Sequence, residues 1–135
     1  DDLKTALKED GIMLIAVPNA DSYDAQVHKQ FWAAYDVPRH LYHFNQSSMI
    51  MLLEKHGLYA EKVLPMYFDS FYVSMLSEKY KLQNTKTNEI RKQTENEIGV
   101  GGLLRAFAIG LLSNFKGAGD KKYFSSLIYV VRKIK

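Results

Sequence analysis

The feature that most limits what this chain can fold into is residues 12–17, Ile-Met-Leu-Ile-Ala-Val, an unbroken apolar run between Gly11 and Pro18-Asn19. A short run without alternation, bounded by turn residues, reads as a strand covered on both faces. Its upstream flank agrees: Leu3, Ala6 and Leu7 have the spacing of a helix's last turns, closed by Lys8-Glu9-Asp10 and a C-terminal Gly11. Strands of this kind sit inside parallel sheets, and the rest of the chain offers few elements to cover one. The expectation is an α/β chain that is the later part of a larger unit.

Residues 21–35 carry Tyr23, Val27, Phe31 and Tyr35 at successive i+4 positions, which predicts a helix with that stripe in the core. Residues 32–44, Trp-Ala-Ala-Tyr-Asp-Val-Pro-Arg-His-Leu-Tyr-His-Phe, then show little periodicity. Pro38 biases Val37 towards extended backbone, so no helix should run past it. A loop this rich in rings, with an arginine and a carboxylate, either binds a ligand or plugs the end of a sheet. The residues alone leave both readings open. Asn45 is a good N-cap for a helix with Met49, Leu52, Leu53 and His56 on one face, stopped by Gly57. Residues 58–66 read as a second strand whose Pro65 points to an edge or bulge. A helix is expected over 69–82, capped by Asp69 or Ser70, and an exposed polar linker over 83–97. Residues 98–115 are apolar nearly all round, and six of the eight glycines lie between Gly99 and Gly119. Residues 123–131 complete the order as a third strand with a basic end at Arg132-Lys133.

The composition, 135 residues with 47% apolar and 24% charged, is that of one soluble globular domain. Nine Tyr and seven Phe suit a protein that packs or stacks flat groups. Without cysteine there is neither a disulfide framework nor thiolate chemistry. A net charge of +3, scattered along the chain, gives no case for nucleic acid. The opening Asp1-Asp2-Leu3-Lys4 has the wrong charge for a secretory signal, so a cytoplasmic protein is expected.

Leu7-Lys8-Glu9-Asp10-Gly11-Ile12 through Ala16-Val17-Pro18-Asn19 resembles the fifth-strand region of class I S-adenosylmethionine-dependent methyltransferases, where Leu-Lys-x-Gly-Gly precedes a strand ending in Pro-Asn. Residues 32–44 and the helix after them resemble the post-strand segment of small-molecule members, with its Pro-Arg-His-Leu-x-x-Phe signature. Leu127 to Lys133 resembles the family's closing strand. The likeness covers about residues 3–66 and 121–134 and leaves 67–120 without a family pattern. It implies a partial Rossmann-like fold, a three-stranded mixed sheet in which two parallel strands flank an antiparallel closing strand. Residues 67–120 would be a helical insertion between the last two strands. The family holds its cofactor on a glycine-rich turn after the first strand, with an acidic residue ending the second; neither is present here. The cluster Gly99-Val100-Gly101-Gly102 follows a polar linker instead of a strand, and so lacks the context of a nucleotide turn. The resemblance therefore implies the C-terminal half of a methyltransferase, with S-adenosylmethionine bound by the full-length parent and none expected on this piece. The implied acceptor is a small molecule or a glycan or lipid precursor.

Methyl transfer from a sulfonium demands in-line positioning and desolvation, and a base only where the acceptor atom keeps its proton. The candidate base is His40, and the candidate substrate contacts are Asn19, Tyr35, Arg39, His40 and His43. Arg39 either holds an anionic substrate in its fork or pairs with Asp36. His40 and His43 are the candidate proton acceptors by residue type, or serve as hydrogen-bonded structural groups. Asn19 ends a strand at the ligand-facing edge of α/β sheets, or is part of a turn. His28, His40 and His43 have no carboxylate at matching spacing, so no metal site is expected. The alternative function is a non-catalytic binding or interaction module. Residues 98–115, with Arg105 inside, are marginal for spanning a bilayer. A hairpin on a membrane surface, helped by Lys116, Lys121 and Lys122, competes there with the preferred reading of burial against the sheet or a second copy. The free outer edge of 12–17 predicts self-association.

Overall fold

The computed structural model describes residues 2–86 and 98–134. Helix α1 (Asp2–Ala6) leads into strand β1 (Met13–Pro18), then helix α2 (Tyr23–His28) and two 3-10 turns, Lys29–Phe31 and Ala33–Tyr35. After the loop come helix α3 (Gln46–Lys55), strand β2 (Leu58–Pro65) and helices α4 (Asp69–Lys86) and α5 (Val100–Gly119). A 3-10 turn, Lys121–Tyr123, precedes strand β3 (Ser126–Lys133). The class is mixed α/β, with α4 and α5 lying in sequence between the last two strands.

The sheet order is β1-β3-β2, and both pairings are antiparallel. The expected mixed sheet is thus an antiparallel one: β1 and β2 point the same way, but β3 separates them, so no parallel ladder forms. The expectation for β1 also needs correction. The strand buried most completely is β3, whose Leu127, Tyr129 and Val131 are all but inaccessible, because it takes the centre of the sheet. At the edge, β1 alternates: Met13, Ile15 and Val17 face the core, whereas Leu14 on the other face is 68% exposed. An apolar strand without alternation has hydrophobic groups for two faces, and here only one is covered.

The core under that covered face is built by register. Ile15 and Val63 flank Tyr129, while Met13 and Ala60 flank Val131. A bulge between Ala60 and Lys62 shifts the alternation of β2 by one, so that Leu58, Ala60 and Val63 all reach the same core. Met49 and Leu53, one turn apart on α3, close it from outside. The start of α3 is fixed by a capping box, Asn45 Oδ1 accepting from Ser48 N at 2.9 Å and Ser48 Oγ from Asn45 N at 3.0 Å. Its end is fixed by Gly57, whose φ of +68° suits the left-handed stop.

A second core lies between α4, α5, α2 and the 3-10 turns, around Ala25, Trp32, Ala33, Ala34 and Val73. The helix expected over 21–35 ends at His28, where Lys29 turns to a φ of 53°. Its buried face is Asp24, Ala25 and His28, and not the tyrosine stripe. The polar stretch read as a linker begins inside α4, and its remainder, 87–97, lies outside the described residues. Residues 98–115 fall in the single helix α5, which buries Ala106, Ile109, Gly110, Ser113 and Gly117 and leaves its opposite side in solvent. Among the described residues no helix is long and apolar enough to cross a membrane.

Two glycines let α5 approach so closely. A Cβ at Gly110 would lie 2.6 Å from the Phe71 ring and 3.1 Å from the Phe71 Cα, and one at Gly117 would lie 2.7 Å from the Phe124 ring. Gly101 meets nothing within 4 Å. Gly117→Ala is expected to cost about 1–3 kcal/mol through overpacking, while Gly101→Ala, on the same helix, should be neutral or stabilise by up to about 1 kcal/mol. Urea denaturation of the two variants checks the contrast.

Candidate functional site

The loop from Trp32 to Phe44 starts from a buried anchor. Asp24 on α2 is fully buried, and its carboxylate accepts from Trp32 Nε1 at 2.8 Å, Ser125 Oγ at 2.8 Å and Ser113 Oγ at 3.0 Å. Burial pushes the Asp24 carboxyl above its ordinary pKa, and the three donors work against that push. Next along the chain, Ala33 N donates to Ser77 Oγ at 2.9 Å, which ties the first turn of the loop to α4. At the far end Ala20 N donates to Phe44 O at 2.8 Å, and Asn19 and Phe44 form a bridge. The loop therefore lies at the carboxyl end of β1.

Between these anchors the chain folds tightly over Asp36, which has a left-handed φ of 39°. The backbone N–H groups of Arg39 and His40 both donate to Asp36 O, at 2.8 and 3.1 Å. The Arg39 guanidinium pairs with the Asp36 carboxylate at 2.9 Å, and the Arg39 side chain is otherwise in solvent. The pairing weighed in the sequence is present, and with only one carboxylate oxygen engaged the exposed fork keeps free N–H donors. The Val37–Pro38 peptide is cis.

The two histidines have their tautomers set by carbonyls. His40 Nδ1 lies 3.1 Å from Ala34 O, and His43 Nε2 lies 2.9 Å from Tyr35 O. A carbonyl oxygen only accepts, so each of those nitrogens carries the proton in the neutral ring. That leaves a lone pair on His40 Nε2 and on His43 Nδ1. Tyr35 stands edge-on to both Trp32 and His43, with ring centroids 5.1 and 4.9 Å away. Tyr35, Arg39, His40 and His43 thus share one loop surface, with Leu41 and Tyr42 also exposed on it. Asn19 does not join them. It is 2% exposed, and its Nδ2 donates to Lys122 O at 2.7 Å and Phe124 O at 3.0 Å while its Oδ1 accepts from Asp21 N. Its carboxamide fixes the β1 terminus against the start of β3.

A second polar cluster lies behind the loop. Buried His28 has Nδ1 3.5 Å from Glu78 Oε1, and Glu78 also faces Lys81 at 2.9 Å and Arg105 at 3.6 Å. Desolvation, aided by the Lys81 and Arg105 charges and opposed by Glu78, lowers the His28 pKa to about 4. Among the described residues no three His, Asp or Glu side chains are grouped to hold a metal ion. Asp24, Ser113 and Ser125 went unread in the sequence, and Trp32 was read only as the start of the ring-rich loop. Their one signal was a carboxylate placed one position from the aromatic stripe of 21–35.

Two measurements probe these buried groups. Trp32→Phe keeps an aromatic ring but removes a donor to Asp24 and part of the buried indole's volume, and should cost at least about 1–3 kcal/mol in urea denaturation. The folded His28 pKa of about 4 lies below its ordinary 6.5, so the unfolded chain takes up the proton first. Its stabilising contribution is present above pH 6.5 and is lost as pH falls towards 4. His28→Leu should therefore show a shallower fall in thermal midpoint over that range than the wild type.

Comparison with family models, with curated proteins and with solved structures finds no match to this chain.

Proposed function

We propose that this chain is the substrate-side, C-terminal part of a class I S-adenosylmethionine-dependent methyltransferase domain of Rossmann-like fold, cytoplasmic and acting on a small molecule or a glycan or lipid precursor. The observation that carries the reading is the sheet: β3, last in sequence, runs against β1 and β2 and lies between them. That is the arrangement the resemblance implies for the family's final three strands. It gains support from the loop 32–44 sitting at the carboxyl end of β1, the side on which α/β sheets take ligands. The outer edge of β1 has no partner among the described residues, and Leu14 stands exposed beside it. Further strands and a helix of a complete domain would cover both.

The described residues do not fit the cofactor. Gly99 is the N-cap of α5 and Gly101 and Gly102 are inside that helix, so the glycine cluster makes no phosphate or nucleoside turn. Cofactor binding is assigned to the rest of the domain. What this chain contributes is the acceptor's wall: Arg39 to hold an anionic group, Tyr35 and His43 to pack a flat face, and His40 to take a proton through Nε2 where the acceptor keeps one.

Titration calorimetry of the full-length protein with S-adenosylmethionine tests the reading, and a folded sample without binding sinks it. Residues 1–135 alone should bind the cofactor weakly at best and show no turnover. In the full-length protein, Arg39→Ala or His40→Ala should lower kcat/KM by at least about tenfold while the thermal midpoint stays nearly unchanged. Unaltered kinetics with a lower midpoint would assign the loop a structural role instead.

A further inference from the structure

We propose that the outer face of α5 docks the protein on an anionic phospholipid surface, with the helix lying in the plane of the interface. The inference stands apart from the methyltransferase reading and shares no residue with it.

Val100, Leu104, Phe107, Leu111 and Phe115 recur at three- and four-residue spacing along one side of α5, and all are exposed, Leu104 by 66% and Phe115 by 79%. Phe107 meets the Phe71 ring, and the stripe as a whole is left largely to solvent. The opposite side of the helix already seats Gly110 on Phe71 and Gly117 on Phe124. The apolar surface also continues beyond the helix. Phe71 stacks on Phe107 at 5.3 Å, Asn114 Nδ2 holds Tyr67 O at 2.7 Å, and the adjoining Phe68 is 85% exposed. A contiguous exposed patch of this kind marks an interaction surface.

Charge selects the occupant. From residue 98 to residue 122 the chain has Arg105, Lys116, Lys121 and Lys122, facing Asp120, which Lys122 pairs at 2.9 Å, and Glu78 of α4, which Arg105 meets at 3.6 Å, so the balance stays positive. Lys116 has aromatic partners, lying 4.6 Å from the Tyr23 ring centroid and 5.7 Å from that of Tyr123. Cations and tyrosines at the rim of an apolar helix face match the headgroup layer of a bilayer. At 20 residues, with no span that can cross a membrane, α5 is suited to lie along the surface.

Vesicle co-sedimentation of the protein decides the matter, using phosphatidylcholine alone and phosphatidylcholine mixed with phosphatidylglycerol. The wild type should pellet with the mixed vesicles and much less with the neutral ones, and added salt should release it. Leu104→Ser, Leu111→Ser and Phe115→Ser together, all at exposed positions, should cut the bound fraction by about tenfold with an unchanged circular dichroism spectrum. Should the triple variant misfold, the wild-type comparison of lipids and salt decides alone. Failure to pellet with either vesicle, equal pelleting with both, or full binding by the folded variant overturns the proposal. So does a wild-type dimer in light scattering that the variant turns into a monomer without any lipid binding; that result would assign the face to a second copy.

Discussion

A carboxylate with no contact to water holds the two halves of this molecule together. Asp24 belongs to α2, yet its three donors come from the loop, from α5 and from the residue just before β3. Removing a carboxylate from water is expensive, and the cost is offset only if its lone pairs are met. Three well-placed donors meet that requirement, and each must be in position for the others to count. The sheet core and the helical core are packed around separate sets of apolar residues, so non-directional burial alone would leave their relative placement loose. The Asp24 node supplies direction. It also orients Trp32, and through Trp32 the whole loop that displays Arg39, His40 and His43.

Much of the fold was legible where chemistry is local. The Asn45 cap, the Gly57 stop and the edge position of the strand ending in Pro65 all follow from a few neighbouring residues, and each has its structural counterpart. Burial was less legible because it depends on partners far away in sequence. Residues 12–17 have the composition of a strand covered on both faces, and their free outer edge was expected, but Leu14 on the second face lies in solvent. In residues 21–35 the aromatic stripe drew the eye, while the buried face of α2 holds Asp24 and His28. Polar residues score as surface in any periodic reading; only their remote hydrogen-bond partners reveal them as interior.

The candidate site divides along the same line. Tyr35, Arg39, His40 and His43 could be picked out because they crowd one proline-containing loop, and the structure keeps them on one surface. Asn19 was chosen for its place at a strand end, and that place is what buries it: the carbonyls of Lys122 and Phe124 converge there and take both amide hydrogens. The tautomers of His40 and His43 were beyond the sequence altogether, since each is set by a carbonyl on the preceding 3-10 turn.

The position of β3 has a consequence for how the chain comes into being. Met13 pairs with Val131 and Asp24 with Ser125, contacts between segments far apart in sequence (101 residues for the second). On a ribosome, β1 and β2 are made long before the strand that lies between them. Neither finds its ladder with β3 until residues 126–133 emerge, whereas α3 and α4 can form as they are synthesised. Such non-local closure is slow, and the unpaired apolar strands are exposed meanwhile. Until residues 126–133 are made, β1 and β2 have no strand between them, and deleting those residues would unlink the two.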